Sequence, residues 1–376
     1  MNIEIISSYC GAISRISHPS YHISVIGEDG KLLEDQWSEL CRRSANNGAA
    51  GMREVPFRLE KTGDHIFAPY KYVKGKYDLD QFNPVYFQNL RRMVEITNTY
   101  NLTFYVSLYD RCNIDRSNKK TGFVPWTNNH QGLDDAWYGR DADPFREAWE
   151  NKIIELFKGL NVGYELCNEP VGLGIVHSGF ETYKLLNKKG IPDENIIMGV
   201  SWGTREYRKF RQPFLEKYGE SWWAKQKHKW FSTVHNIDES TFETLNRQEG
   251  HTRRFWLSTD GRHPKPGREW WEESLIDFFK VVPTAPFKNK YAFETVHQKD
   301  EDDFDGARGI SEAIHEVTGN YPPNYNKFPK EVEPSNLQKK VQAIKVEIRT
   351  IQSRCQDVHS LLENLFHQVD ELERTI

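Results

Sequence analysis

The chain has 376 residues, of which 38% are apolar, and its 50 basic and 54 acidic side chains give a formal net charge of -4. A chain of this length can bury one large core or two modest ones, and no run of about 18 apolar residues offers a membrane span. Lys and Arg are not concentrated in any segment as a phosphate-tracking surface would require. The sequence therefore argues against nucleic acid and membranes as partners.

The amino terminus and the cysteines bear on where the chain is made. The first residues have neither a basic n-region nor a small-residue cleavage site, so we interpret them as a first strand and expect no signal peptide. The five cysteines are scattered and form no CxxC pair, which predicts neither a disulfide framework nor a metal site. We expect synthesis in the cytoplasm and no cofactor.

Short β-rich apolar runs alternate with longer amphipathic runs from residue 1 to about residue 320. This alternation is typical of parallel β/α units. Eight such units, with no Gly-rich phosphate loop after any strand, favour an α/β fold of the closed (β/α)8 TIM-barrel kind over an open nucleotide-binding sheet. The strand candidates are Ile3–Ser8, Gly51–Phe57, Leu102–Leu108, Val162–Cys167, Ile196–Val200, Trp230–His235, Phe255–Ser258 and Tyr291–Val296. The clearest helix candidates are Asp35–Ser44, Pro84–Thr97, Pro144–Phe157, Phe180–Asn187, Trp270–Phe279 and Gly306–Val317.

The composition changes after the predicted barrel of residues 1–320. Residues 321–334 are rich in proline and predict a linker, and no Gly or Pro occurs in residues 335–376. In this last segment apolar residues recur at spacings of four and three in turn, which predicts a coiled-coil helix. Isoleucine at both kinds of core position favours self-association as a trimer over a dimer. The alternative is a single helix that packs against the barrel.

The most informative chemical motif is Asn168-Glu169-Pro170, which directly follows the fourth strand candidate. In a (β/α)8 barrel the active site lies at the carboxyl ends of the strands. Glycoside hydrolysis needs two carboxyl groups on either side of the scissile bond, and one of them must be protonated to assist the leaving group. Glu169 is placed to be that acid. The alternative is a structural carboxylate that pairs with an arginine at the barrel rim.

On this motif, the first 318 or so residues resemble the clan A glycoside hydrolases, and in particular family 5, the cellulases, mannanases and their relatives. In that family the fourth strand ends in Asn-Glu-Pro. The resemblance implies that Glu169 is the general acid/base and that Asn168 binds the sugar 2-hydroxyl.

Three further positions extend the resemblance. Arg53, in an Arg-x-x-Pro pattern on the second strand, matches an arginine that supports the nucleophile. His235, after the sixth strand, matches a histidine close to the sugar. The usual His-Asp of the third strand is Tyr109-Asp110 here, so Asp110 is a candidate substrate contact in a segment that departs from the pattern.

Two residues are candidates for the second carboxylate. The family has a Glu at the end of the seventh strand, where this chain has Asp260 at a similar spacing from Glu169. Either kind of carboxylate serves as a glycosidic nucleophile, although Asp260-Gly261 is also a common turn sequence. The alternative is Glu294, on the eighth strand candidate, which becomes the nucleophile if the strand count is off by one.

Aromatic residues make up 13% of the chain, including 11 Trp. Several Trp lie in polar, loop-like contexts, where a flat ring beside hydrogen-bonding groups suits a sugar face. Trp126, Trp137 and Trp202 are therefore candidate stacking platforms in the substrate site. The alternative for each is an ordinary core or surface anchor.

These features predict an O-glycosyl hydrolase of the retaining kind that acts on a poly- or oligosaccharide. An oligomeric, signal-less, glycan-directed enzyme resembles a bacteriophage virion or tail depolymerase, and absence of the protein from purified particles would contradict that hypothesis. Two alternatives remain. One is a non-catalytic glycan-binding or structural virion protein on a degenerate barrel, and the other is an intracellular oligomeric glycosidase.

Overall fold

The computed structural model describes residues 3–10, 13, 24–55, 67–110, 125–126, 128–133, 142–168, 173–197, 203–225, 230–233, 254–258, 291–295 and 305–328. The chain divides into two units, Met1–Phe328 and Pro329–Ile376. The predicted coiled-coil helix of residues 335–376 lies outside the described residues, as does the predicted helix Trp270–Phe279. Self-association through that segment stays a prediction, which the mass of the chain in solution would test.

Eight parallel strands form a closed barrel. All eight correspond to the strands predicted from the sequence, so the (β/α)8 barrel is confirmed. The barrel strands are β1 Ile3–Cys10, β2 Gly51–Val55, β5 Thr103–Ser107, β6 Val162–Glu165, β7 Ile196–Ile197, β8 Trp230–Thr233, β9 Arg254–Ser258 and β10 Tyr291–Thr295. Neighbouring strands follow the order β1-β10-β9-β8-β7-β6-β5-β2 around the barrel. In chain order, β9 is the seventh barrel strand and β10 the eighth.

A two-stranded antiparallel hairpin, β3 Tyr70–Val73 and β4 Lys76–Phe82, is inserted between the second barrel strand and the helix that follows it. The sequence analysis did not predict it. The turn is made by Lys74 and Gly75, both with positive φ, as in the two-residue turns that suit the twist of a hairpin. Because it follows a barrel strand, the hairpin belongs to the same end of the barrel as the carboxyl ends of the strands.

Six α-helices are described: α1 Glu34–Asn46, α2 Pro84–Thr99, α3 Asp143–Leu156, α4 Leu173–Lys188, α5 Gly203–Lys225 and α6 Asp305–Thr318. All except α5 correspond to predicted helices. The sequence analysis missed α5, whose run is interrupted by Pro213 and by the non-helical Gly219 (φ 79°, ψ 167°). None of these helices has both the length and the apolar content needed to cross a bilayer.

The start of α2 shows how local sequence sets an element boundary. The Asn83 side chain accepts a hydrogen bond from the Val85 amide, and Pro84 occupies the first helical position. Asn is among the preferred N-cap residues, and Pro is tolerated at this position because its missing N–H would lack a helical partner anyway. The helix therefore begins at the residue that the sequence predicted.

Residues that alternate along the barrel strands belong to two different apolar clusters. Residues such as Met52, Phe104 and Val106 belong to the large core between the strands and the helices. A second, smaller cluster consists of Ile6, Tyr105 and Ile197, contributed by strands β1, β5 and β7. Successive strand residues point to opposite faces of a sheet, so the smaller cluster fills the interior of the barrel.

The Tyr105 ring is accommodated by two glycines on the neighbouring strands. A Cβ on Gly51 would come within 2.6 Å of Tyr105 Cε2, and a Cβ on Gly163 would overlap two carbons of the same ring. Gly163 is also the direct register partner of Tyr105. The glycines thus leave the space that a large aromatic ring needs inside a narrow barrel.

We expect Gly163→Ala to lower the free energy of unfolding by about 1–3 kcal/mol, because the added methyl displaces the Tyr105 ring. Urea unfolding measures the change. The matched experiment repeats the substitution in a Tyr105→Leu background, where the ring is gone and the cost should largely disappear. Equal costs in the two backgrounds would show that the Tyr105 contact is not the cause.

Residues 321–328, the first part of the predicted linker of residues 321–334, pack against the barrel strands and helices. The Asn324 side chain donates to the Ala49 carbonyl at 2.8 Å, and the Phe328 amide donates to Asn46 Oδ1 at 2.8 Å. The rings of Tyr321 and Tyr325 stack at 4.2 Å between centroids. These contacts lie where α1 ends and β2 begins, so this segment packs at the amino end of β2.

Candidate active site

A buried ion pair lies inside the barrel near the carboxyl ends of β2 and β6. Arg53 Nε and Nη2 both donate to Glu165 Oε2, at 2.9 and 2.6 Å. The two residues are 4% and 2% exposed. Strands β2 and β6 both flank β5, which brings the two side chains together across one intervening strand. Removing two charges from water is costly unless they are paired and hydrogen-bonded, and this geometry provides the pairing.

Asn168, three residues beyond β6, extends this pair into a longer polar chain. Arg53 Nη2 donates to Asn168 Oδ1 at 2.7 Å, and Asn168 Nδ2 donates to Asp110 Oδ1 at 2.9 Å. Because the arginine can only donate and an ionised carboxylate can only accept, the two partners fix the orientation of the amide. The chain Glu165–Arg53–Asn168–Asp110 therefore joins groups from three adjacent barrel strands.

Backbone hydrogen bonds also hold Asp110 and Asn168 in place. The Asn168 amide donates to the Tyr109 carbonyl at 2.7 Å, and Asp110 and Asn168 form an isolated parallel bridge. The Ser107 hydroxyl donates to the same Tyr109 carbonyl at 2.9 Å. The pairing of β5 with β6 thus continues beyond the ends of both strands. Asp110 and Asn168 are consequently held by backbone and side-chain bonds together.

Side chains of the surrounding helices bind Leu108 and Tyr109 from outside the barrel. The Tyr109 hydroxyl and the Thr182 hydroxyl each donate to Glu150 Oε1 at 2.6 Å. Trp149 Nε1 donates to the Leu108 carbonyl at 3.1 Å. Burial raises the pKa of Glu150, while the hydrogen bonds from Thr182 and Tyr109 act in the opposite direction. Burial also raises the pKa of Tyr109, and the nearby Glu150 carboxylate adds to that rise.

Three of the predicted site residues, Arg53, Asn168 and Asp110, are brought together by the structure. Asp110 is 1% exposed, whereas Asn168 is partly exposed. Of these three, Asn168 is therefore the one with surface available to a ligand. Arg53 forms an ion pair with Glu165, a residue that the sequence analysis did not select.

The interpretation of Trp126 as a sugar-stacking platform is corrected by the structure. Trp126 is 1% exposed. Its ring meets Tyr70 edge-on at 5.2 Å and Trp149 at 6.1 Å between centroids. The side chain fills the space between the hairpin and α3, so no ring face is left for a sugar.

The other predicted site residues have little or no described structure. Glu169, Asp260, His235, Trp137 and Trp202 lie outside the described residues. The backbone of Glu294 is described within β10, in register with Ile6 of β1 and with Ser258 of β9. Asp260 is two residues beyond the end of β9 in the sequence.

Glu165 could have been found from the sequence by one signal. Strand Val162–Glu165 is completely buried, as is strand Gly51–Val55. A charged residue in such a strand needs a partner of opposite sign, because an unpaired buried charge is rarely tolerated. The two predicted strands contain Arg53, Glu54 and Glu165, so the sequence marks Glu165 as a residue that needs a partner without specifying which one.

Among the described residues, no three His, Cys, Asp or Glu side chains converge as a metal site. Cys41 and Cys167 are buried. Burial raises the pKa of Cys41 to about 12, so this thiol stays protonated at neutral pH and is a poor nucleophile.

The described part of the chain thus defines a class of protein, a (β/α)8 barrel with a buried polar network at the carboxyl ends of its second, third and fourth strands. No protein-family model matches the sequence. No curated protein matches it either. Comparison with solved structures, however, finds similar backbones among glycoside hydrolases, including family 5 enzymes.

Three of these structures illustrate the degree of similarity. SrfJ from Salmonella typhimurium is 11% identical with a TM-score of 0.45, and the match covers 78% of this chain but 65% of SrfJ. The endo-1,4-beta-mannanase of Rhizomucor miehei is 10% identical (TM-score 0.48; 85% and 95% covered). GH5_18 from Streptomyces cattleya, in complex with GlcNAc, is 12% identical (TM-score 0.48; 85% and 82% covered). These likenesses are too distant to assign a function, and the barrel is established by this chain's own strand pairing.

Proposed function

We propose that the chain hydrolyses O-glycosidic bonds in a poly- or oligosaccharide, with Glu169 as general acid/base. The observation that carries the proposal is the position of Asn168, held at the carboxyl end of the fourth barrel strand by Arg53 and Asp110. Glu169 is the next residue in the chain. A group needed for acid catalysis must be held in a defined position relative to the scissile bond, and the fixed position of the preceding residue supports the choice of Glu169 for that role.

Asn168 also has hydrogen-bonding capacity left for a ligand. Its amide group has two N–H donors, and within the described residues one of them is used, on Asp110. The side chain is partly exposed. The second N–H is therefore available to a sugar hydroxyl, in agreement with the role that the resemblance to family 5 implies for this residue.

The reaction follows from two carboxyl groups acting in turn. Glu169 gives its proton to the glycosidic oxygen as the bond from that oxygen to the anomeric carbon breaks, and a second carboxylate forms a bond to the same carbon. Glu169, now ionised, takes a proton from water, whose oxygen displaces the second carboxylate. The product is a sugar with its original anomeric configuration, and Glu169 is protonated again.

Asp260 is the second carboxylate in this proposal. The observed strand order supports it, because β9 is the seventh barrel strand and Asp260 follows its end. Glu294 is on the eighth strand, so the argument that relied on a miscounted strand no longer favours it. A separation of about 5–5.5 Å between the two carboxyl groups would give this retaining route, and about 6.5–9.5 Å an inverting one.

The proposal is tested with purified chain on a panel of polysaccharides, short oligosaccharides and aryl glycosides, with new reducing ends and released phenol as readouts. On the active substrate, NMR of the first product shows which anomer forms. We expect a retained anomer and a loss of kcat of at least about 100-fold in Asp260→Asn. Glu294→Gln should keep most of the activity.

Each other result has a definite meaning. Loss of turnover in Glu294→Gln alone would transfer the second role to that residue. An inverted product would contradict the covalent route but keep the hydrolase. Binding to a glycan without cleavage across the panel would support the non-catalytic alternative and contradict the proposed function.

A further inference from the structure

One buried carboxyl group, Glu150, has no part in the proposed reaction, yet it is connected to the site. It lies on α3, outside the barrel wall, and is buried. Its Oε1 accepts hydrogen bonds of the same length, 2.6 Å, from Tyr109 and from Thr182. Apolar side chains could fill such a position with less loss of hydration. Packing alone therefore does not explain why a carboxylate occupies this buried position.

The connection runs through Tyr109. Its hydroxyl is fixed by Glu150, and its carbonyl accepts the Asn168 amide at 2.7 Å. The next residue, Asp110, accepts from the Asn168 side chain at 2.9 Å. Tyr109 thus links the Glu150 carboxylate, outside the barrel, to two of the hydrogen bonds that hold Asn168, and the third comes from Arg53.

We propose that Glu150 is a positioning residue that acts through the Tyr109 hydroxyl to hold Asp110 and Asn168 in the geometry of the site. Its effect on catalysis rests on the proposed function, whereas its effect on the position of Asn168 does not. The reasoning is that side chains supporting a site from behind determine how accurately the contacting groups are placed. A displacement of about 1 Å can reduce a rate by about 100-fold.

Thr182 offers a matched control. Thr182→Val removes a hydrogen bond of the same length to the same Glu150 oxygen, but from a residue on α4 and not from the segment whose carbonyl holds Asn168. Tyr109→Phe removes the bond that leads to the site. A merely structural role for Glu150 predicts similar effects from these two substitutions, and a positioning role predicts different ones.

On the active substrate, we expect Tyr109→Phe and Glu150→Leu to lower kcat by about tenfold or more, and Thr182→Val by less than about twofold. KM should change less than kcat, because the substitutions disturb the alignment of the reacting groups. Glu150→Gln keeps an acceptor oxygen for the Tyr109 hydroxyl and should restore kcat to near the parent value. Equal losses in Tyr109→Phe and Thr182→Val would overturn the proposal.

A second readout does not depend on catalysis. In chain labelled with ¹⁵N-asparagine, the side-chain amide of Asn168 is assigned by its absence from Asn168→Asp. We expect its resonances to shift in Tyr109→Phe and Glu150→Leu and to stay in place in Thr182→Val and Glu150→Gln. If the parent chain cleaves no glycoside, the proposed function fails while this spectrum still decides the positioning role. Unchanged resonances in Tyr109→Phe would refute it.

Discussion

Glu169→Gln is expected to lower kcat by about 100- to 10,000-fold on substrates with a poor leaving group, because general acid–base catalysis contributes about that much. Gln is nearly isosteric but cannot give up a proton to the glycosidic oxygen. Substrate affinity should change little, since the position of the adjoining Asn168 depends on Arg53 and Asp110. Initial rates on the substrate identified by the panel, with isothermal titration for binding, measure both effects.

The choice of leaving group and nucleophile makes this prediction specific. An aryl glycoside with an acidic phenol needs no proton to depart, so Glu169→Ala should form the glycosyl intermediate from it and then stall. Added azide should restore turnover and give a glycosyl azide, because azide attacks without a general base. Glu155→Gln, on the exposed surface of α3, is the control and should behave as the parent. Full activity in Glu169→Gln would contradict the assignment of this residue.

Glu165→Met is expected to lower the free energy of unfolding by about 3–5 kcal/mol, the cost of leaving one member of a buried ion pair without its partner. Glu165 Oε2 accepts two hydrogen bonds from Arg53, and both side chains are almost completely buried. The methionine fills a similar volume, so the loss of stability reports mainly on the removal of the carboxylate that pairs with Arg53. Urea unfolding followed by tryptophan fluorescence measures it.

The double variant Arg53→Met/Glu165→Met separates the charge from the packing. With both charges gone, most of the lost stability should return, because replacing a buried ion pair by apolar side chains is often neutral or stabilising. The surface pair Arg91 and Glu95, joined at 2.9 Å, is the control, and Glu95→Gln should cost less than about 1 kcal/mol. A double variant as unstable as Glu165→Met would show that the volume of the side chains, and not the charge, is decisive.

The double variant also bears on the site. Arg53 donates to Asn168 as well as to Glu165, so the variant that regains stability should still place Asn168 poorly. We expect it to fold and to remain much less active than the parent. The stability would then report on the bonds from Arg53 to Glu165, and the activity on the bond from Arg53 to Asn168.

The barrel strands could be predicted because each is a short apolar run bounded by polar residues, Gly or Pro, and buried parallel strands have this form. The elements that were missed have weaker patterns. The hairpin alternates charged and aromatic residues around Lys74 and Gly75, and α5 contains Pro213 and Gly219. Such residues normally interrupt regular elements, and tertiary packing is what makes them tolerable in this chain.

The sequence by itself determined the eight-strand barrel and the place of Asn168 at the end of the fourth strand, since both follow from the order of apolar runs along the chain. Only the tertiary structure decided that Arg53 pairs with Glu165, 112 positions away, and that Trp126 is buried. The physical reason is that the apolar pattern specifies which residues become buried on folding. It does not specify which distant side chain each of them meets, because that depends on how the strands and helices close around one another.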